Sequence, residues 1–173
     1  MNRRATTQRA WGLALGAAVA LGLTSLVPHP TASGLLGSGT AWACLLVLAG
    51  WLLRQPARAA VAGVVAGLTA MAVHDGAGQL LGAFGASAWA GDRWWFVIAL
   101  VAGGPLGLLG AASRRADRRG LLARLVVPAG AVLEPLAVGA PSPPVALALV
   151  AAGTVGAAVV LTRRVTQVTA DRP

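Results

Sequence analysis

The stretch ARAAVAGVVAGLTAMAVHD, residues 57–75, decides the fold of this chain. Between Arg58 and His74 it contains no charged residue, and at a rise of ~1.5 Å per residue Asp75 lies about 25 Å along a helix that starts at Arg58. That length is close to the ~30 Å hydrocarbon core of a bilayer, where only helices satisfy their own backbone polar groups. The stretch therefore predicts a transmembrane helix with a polar pair, His74 and Asp75, near its far end.

Five further apolar stretches have the same character, and they cover residues 11–27, 37–53, 94–112, 121–139 and 144–162. Over all 173 residues, 57% are apolar and only 11% are charged, where soluble domains have about 25% charged residues. The sequence therefore predicts an all-α protein, a six-helix transmembrane bundle that forms one integral membrane domain over residues 1–173.

Arginine placement predicts the orientation of this bundle. The 14 basic residues are all arginine, and 13 of them fall before the first stretch, after the sixth, or in the 2–3 and 4–5 loops: Arg3, Arg4, Arg9, Arg54, Arg58, Arg114, Arg115, Arg118, Arg119, Arg124, Arg163, Arg164 and Arg172. Only Arg93 lies on the other side. Because basic loops stay inside, we expect a multi-pass protein of the bacterial plasma membrane with both termini in the cytoplasm.

Other interpretations of the basic charge and of the first stretch are weaker. The arginines lie between apolar runs rather than along one face, which argues against nucleic-acid binding. The first stretch has a basic start and precedes HPTASG, residues 29–34, as a cleaved signal peptide would. Cleavage would leave the orientation of the five following spans unchanged. The single cysteine, Cys44, matches no metal-binding spacing.

Acidic residues in the outer half of the membrane are the first functional signal. By helical rise, Asp75 and Glu134 lie about 25 and 20 Å from the cytoplasmic ends of their helices. With Asp92, the outer half contains three acids but only one fixed cation, Arg93. At least one of these acids is therefore protonated, solvated or matched by something outside the chain. We therefore predict an outward-facing pocket with three polar ligands and three lining residues: His74, Asp75 and Glu134, then Gln79, Trp94 and Trp95.

Less specific interpretations of the same residues stay open at this point. Glu134 could be a protonated carboxyl that donates to a carbonyl freed by Pro135, which has no N–H. His74 and Asp75 could mark a solvated helix end. The third helix either stops near Gly76 or continues to Phe84.

Catalysis has little support in the sequence. The His-Glu-x-x-His pattern of zinc proteases is absent, and no metal or cofactor is expected. A serine hydrolase would have to combine His74 with Ser38 or Ser87, both in Gly/Ala-rich contexts. A proton or ion channel that uses the acids is a further alternative, and we expect a protein that is not an enzyme.

Small residues recur every four positions, as close helix packing in lipid requires. In the first stretch they form two rows, Ala10, Ala14, Ala18 and Gly22 in one and Gly12, Gly16 and Ala20 in the other. Gly63 with Gly67, and Gly103 with Gly107, repeat the spacing. These rows predict either packing within the chain or a docking face for another membrane subunit.

Two resemblances add to this interpretation. The segments LVPHP (26–30), SGTAWACLLVLAGWLLRQPARAAVAGVVAG (38–67) and DRWWFVIALVAGGPLGLLGAA (92–112) resemble a family of six-helix bacterial membrane proteins without a known activity. More distantly, the chain resembles the substrate-binding S-components of energy-coupling-factor vitamin transporters. That resemblance implies that Ala10, Ala14 and Ala18 dock on a transmembrane coupling subunit, which works with ATPases, and that a solute is held near the outside.

The sequence as a whole predicts a membrane-embedded component that binds or takes up a small solute, with a cation as one candidate. The alternative is a structural or assembly protein that binds a partner through its small-residue helix faces.

Overall fold

The computed structural model describes residues 3–139 and 142–170, with side chains for 5–139 and 142–163, and these residues form helices and short connections without a strand. The helices are α1 (Arg3–Thr24), α2 (Pro30–Leu36), α3 (Gly39–Leu53), α4 (Pro56–Leu80), α5 (Ala88–Gly91), α6 (Arg93–Ala112), α7 (Arg118–Ala137) and α8 (Pro143–Ala170). Four arginines used above to predict the orientation lie outside the described side chains: Arg3, Arg4, Arg164 and Arg172.

Membrane-capable helices are fewer than the sequence predicted. By length and hydropathy, α4, α6, α7 and α8 up to Arg163 could each cross a membrane, and α2 with α3 forms a fifth span if that pair, bent by 46°, is counted as one. The chain is thus a multi-pass membrane protein by these criteria, with four or five such helices in its described part. The predicted span at 11–27 is not among them, because α1 begins with the polar residues 6–9 and is less apolar.

Helix ends also differ from the expected ones. The helix α4 runs through Gly76 and Gly78 to Leu80, so the third predicted helix neither stops at Gly76 nor reaches Phe84. The short helix α2 was not predicted; it starts at Pro30, with the His29 side chain accepting from the Ala32 N–H at 3.4 Å.

The interior of the bundle is built from small side chains, whereas large apolar side chains point outward. The most deeply buried core positions on α1, α3 and α4 are alanines: Ala14, Ala18, Ala49, Ala59, Ala62, Ala66 and Ala70. By contrast, Leu13, Leu136 and Leu147 are 63%, 78% and 72% exposed. A lipid environment favours this arrangement, since lipid does not drive large apolar side chains inward.

Glycines bring α3, α4 and α6 into backbone contact. A Cβ atom at Gly50 would overlap the carbonyl group of Gly107, and one at Gly107 would overlap the carbonyl oxygen of Ala59. A Cβ at Gly63 would likewise overlap the carbonyl oxygen of Gly103. The four-residue glycine spacing in α4 and α6 therefore serves packing within the chain.

The alanine row of α1 is also used inside the chain. Ala14 and Ala18 are 1% and 0% exposed in the core shared with α3 and α4, and Ala10 packs against the same core. This row is therefore not a free docking face, contrary to the expectation drawn from the S-component resemblance. The other row faces outward, because a Cβ at Gly12 or Gly16 would have no atom within 4 Å.

The helices α7 and α8 form a hairpin, and each of them packs mainly against the other. A Cβ at Gly153 would overlap the Pro128 carbonyl oxygen, so the two helices are also in close contact. Contacts from α7 to α3 and α6 join this hairpin to the rest of the bundle.

Candidate functional site

A cavity of about 270 Å³ lies between α3, α4 and α6. It is formed by the first two turns of α3, by α4 between Gly67 and His74 and by the first four turns of α6, which places it in the half of the bundle away from Arg54, Arg58 and Arg114. Its wall is largely apolar and includes two titratable side chains and two tryptophans: His74, Asp92, Trp42 and Trp95.

His74 is fixed in this wall by three neighbours. Its Nδ1 lies 2.8 Å from the Ser25 Oγ, and the Ser25 hydroxyl donates to the Gly22 carbonyl oxygen at 2.9 Å. Because a serine hydroxyl has one proton, both contacts are satisfied when Nδ1–H of His74 donates to Ser25. The ring also lies edge-on to Trp42 at 6.3 Å and 5.0 Å from Phe84, measured between ring centroids.

Asp75 is fully buried, and both of its carboxylate oxygens lack a hydrogen-bond partner. The nearest acidic group is Asp92, whose side chain lies close enough to interact with the Asp75 carboxyl. A buried carboxylate without a donor is strongly unfavourable, and two adjacent carboxyls do not ionise together easily. The pair therefore needs a shared proton or a bound cation.

No arginine neutralises this pair in the described part of the chain. Arg93 follows Asp92 directly, but its guanidinium carbon lies 5.9 Å from the centroid of the Trp94 ring, and neither Asp75 nor Asp92 forms an ion pair there. The acidic pair is thus left without an arginine partner, and the basic side chain that acts on Asp75 is the titratable His74.

Glu134 has a different role from the predicted pocket ligand. Its carboxylate accepts hydrogen bonds from the Gly39 N–H at 2.6 Å, the Thr40 N–H at 2.7 Å and the Thr40 hydroxyl at 2.5 Å. It caps the N-terminus of α3 from α7, where the helix dipole also favours negative charge. All three contacts use it as an acceptor, which does not fit a protonated donor to a carbonyl near Pro135.

Gln79 and Trp94 also lie away from the cavity wall. The Gln79 Oε1 accepts from the Trp89 indole N–H at 2.9 Å, and Trp89 stacks on Phe96, so this glutamine anchors the connection after α4. Trp94 is 64% exposed. Of the six predicted site residues, the structure brings His74 and Trp95 into the wall and places Asp75 beside Asp92, near them.

Sequence reasoning missed two members of the site, Asp92 and Trp42. Asp92 was counted among the outer acids but not among the predicted pocket residues, and at the start of α6 its side chain makes no capping hydrogen bond. The excess of outer acids over cations was a usable signal for Asp92. Trp42 lies one turn into α3, at the same end as the predicted pocket.

Neither serine considered for hydrolysis lines the cavity. Ser38 accepts from the Ala41 N–H at 3.2 Å and donates to the Leu35 carbonyl at 2.7 Å, as a cap of α3. Ser87 is exposed next to α5. The serine that contacts His74 is Ser25, which is outside the cavity wall.

Comparison with known proteins gives no match. No family model, no curated protein and no solved structure matches this chain. The geometry of the cavity is therefore the basis for a functional assignment.

Replacing Glu134 with glutamine should lower the stability of the fold without removing solute binding. Glutamine offers one acceptor oxygen to three donors and turns its own N–H₂ toward one of them, so a loss of about 1–3 kcal/mol is expected. The readout is thermal unfolding in detergent, with Thr40→Val as a milder comparison that removes one donor. A Glu134→Gln protein of unchanged stability that no longer binds solute would instead place Glu134 in the site.

Proposed function

We propose that this chain is a plasma-membrane protein that binds a small cationic solute from the outside, in the cavity between α3, α4 and α6. The observation that carries this proposal is the buried, unpartnered carboxyl of Asp75 beside Asp92. Intramembrane acids of this kind are usually functional, and a bound cation is one of the two ways to neutralise the pair.

The dimensions and lining of the cavity support a small organic cation. Its volume of about 270 Å³ is just below the ~300–1,000 Å³ of sites for drug-sized ligands. Trp42 and Trp95 offer aromatic faces, which attract ammonium groups, and His74 offers its second ring nitrogen. An amine of metabolite size combines these contacts with neutralisation of the carboxyl pair.

For the threading we propose six spans with both termini in the cytoplasm. The sixth span is α1, which packs along α3 and α4 through Ala14 and Ala18 and turns Leu13 and Leu23 outward as a lipid-facing helix would. Arginines at the end opposite the cavity make that end cytoplasmic by the positive-inside rule. The cavity then opens toward the outside.

In the cell, this chain would act as the solute-binding part of an uptake system, similar to an S-component, with a coupling subunit and ATPases. Because Ala10, Ala14 and Ala18 are used inside the bundle, such a subunit would dock on another face. The rival proposal is a structural or assembly protein without a ligand. In that proposal the Asp75 and Asp92 carboxyls would share a proton and serve the fold alone.

Reporter fusions test the threading. A fluorescent protein that matures only in the cytoplasm should give signal at either terminus, whereas a periplasmic phosphatase should be active when inserted after Gly85, in the connection between α4 and α5. An active phosphatase at the C-terminus would contradict this orientation.

Thermal unfolding in detergent tests the binding. We expect choline or ethanolamine to stabilise the purified protein, by about 2.7 kcal/mol at 100 times the dissociation constant. The matched control is 3,3-dimethyl-1-butanol, which has the shape of choline without its charge. Equal stabilisation by this neutral compound, or none by any of a panel of amines, would contradict a cation site.

A further inference from the structure

A second cavity, of about 480 Å³, lies at the arginine-rich end of the bundle. We call it the arginine cleft. Three guanidinium side chains line it, from Arg54, Arg115 and Arg119, together with Pro56. The rest of its lining is the apolar last turn of α6, formed by Leu108, Ala111 and Ala112.

The arginines next to the cleft make structural contacts. Two of the arginines that line the cleft do not. The Arg114 guanidinium lies 4.4 Å from the centroid of the Trp51 ring and donates to the Trp51 carbonyl oxygen at 2.9 Å. Arg124 donates to the carbonyl oxygens of Ser113 and Arg115. No hydrogen bond or ion pair engages the side chains of Arg54 and Arg119 in the part of the chain that the structure describes.

The third arginine of the cleft has one acidic partner. Arg115 Nε lies 3.0 Å from Asp117 Oδ2, and both side chains are about half exposed. The pKa of Asp117 is below its ordinary value, first because the Gly120 N–H donates to it and further because Arg115 and Arg119 are near. Asp117 is therefore ionised at neutral pH and compensates one of the three positive charges.

We propose that the arginine cleft binds the phosphate of an anionic phospholipid, with the start of an acyl chain against Leu108. This inference is independent of solute binding at the other end of the bundle.

Three features favour a lipid over other anions. Guanidinium groups present a planar fork of donors that matches phosphate oxygens. The apolar lining belongs to a helix that can span the membrane, so a bound phosphate would have hydrocarbon directly beside it. Trp51, on the last turns of α3, is 42% exposed at the same end, as interfacial tryptophans are. A soluble anion or an acidic protein would have no use for the apolar part of the cleft.

The test compares two double variants that remove the same charge. Arg54→Gln with Arg119→Gln alters the cleft, whereas Arg58→Gln with Arg118→Gln removes two exposed arginines from the same end that do not line it. Native mass spectrometry counts lipids retained by each protein after equilibration in mixed micelles with phosphatidylglycerol or with phosphatidylcholine. Arg119→Gln alone is the fallback if the cleft double variant does not fold.

We expect wild type and the Arg58/Arg118 variant to retain one phosphatidylglycerol and no phosphatidylcholine. At about 1 kcal/mol per arginine near an anionic surface, the cleft variant should bind phosphatidylglycerol roughly 30-fold more weakly, and Arg119→Gln about fivefold. Equal losses in both double variants would overturn a specific site and leave a general charge effect. Full displacement of the lipid by millimolar inorganic phosphate would assign the cleft to a soluble anion. Lipid retention that is the same in all variants would mean that the arginines serve another partner, such as an acidic protein.

Discussion

Replacing Gly107 with alanine is expected to destabilise the bundle strongly. The new Cβ would overlap the carbonyl oxygen of Ala59 in α4, and Gly107 itself faces the Gly50 position of α3. Because the obstacle is backbone and not a movable side chain, α6 would have to shift away from α4. Overpacking of this kind costs about 1–3 kcal/mol and occasionally more, and we expect the upper end of that range or a failure to fold.

Gly104→Ala is the matched control for this prediction. It adds the same methyl group to the same helix three residues earlier, where nothing lies within 4 Å of the new Cβ. Since alanine is a better helix former than glycine by about 1 kcal/mol, this variant should be as stable as wild type or more stable. Thermal unfolding in a mild detergent, with monodispersity as a check, measures both. Equal stability of the two variants would contradict the close packing of α3, α4 and α6.

Asp75→Asn is expected to change stability and ligand response in opposite directions. In the free protein, the amide removes a potential charge from a site where no group donates to it, so the free energy of unfolding should stay equal or rise. In the bound protein, the same change removes one carboxyl of the pair that would neutralise the cation, of which Asp92 lines the cavity and Asp75 lies behind it. Losing one member of a buried charge pair costs about 2–5 kcal/mol, which is at least a 30-fold loss of affinity.

The measurement is the shift in unfolding temperature on addition of choline or ethanolamine, for wild type, Asp75→Asn and Asp92→Asn. Asp117→Asn is the control, because it removes one carboxylate from the opposite end of the bundle, where Asp117 caps α7. We expect both cavity variants to lose the shift and the control to keep it. An Asp75→Asn protein that keeps the full shift would remove Asp75 from the site and return the pair to a structural role.

The helical fold was largely predictable because a lipid environment restricts the secondary structure that an apolar segment can form. A long apolar run can only be a helix there, so the predicted stretch at 57–75 lies within α4, and glycines four apart mark where helices touch. The short helix α2 was missed, since its seven residues have no span-length pattern.

The site was harder to predict. Nothing local to Glu134 shows that its partners are Gly39 and Thr40, which are about 95 residues away in sequence.

His74 and Asp75 were recognisable from sequence because polar residues in an apolar run are rare whatever the tertiary structure. Asp92 was not included in the predicted pocket, because a residue just before a helix either caps that helix or turns its side chain elsewhere. Which of these it is depends on the packing of α6 against α4. That packing is set by glycine contacts between distant parts of the chain.

The alanine and glycine interior has a consequence for the entropy of folding. When a leucine or methionine is buried, it gives up rotamer freedom worth up to about 1–2 kcal/mol, whereas alanine and glycine have no rotamers to give up. Apart from a few buried leucines such as Leu45 and Leu53, the helices of this bundle therefore associate with little loss of side-chain freedom at their contacts, while the large side chains on the lipid side keep theirs. An interior of this kind has few flexible side chains that could rearrange if the helices changed their spacing.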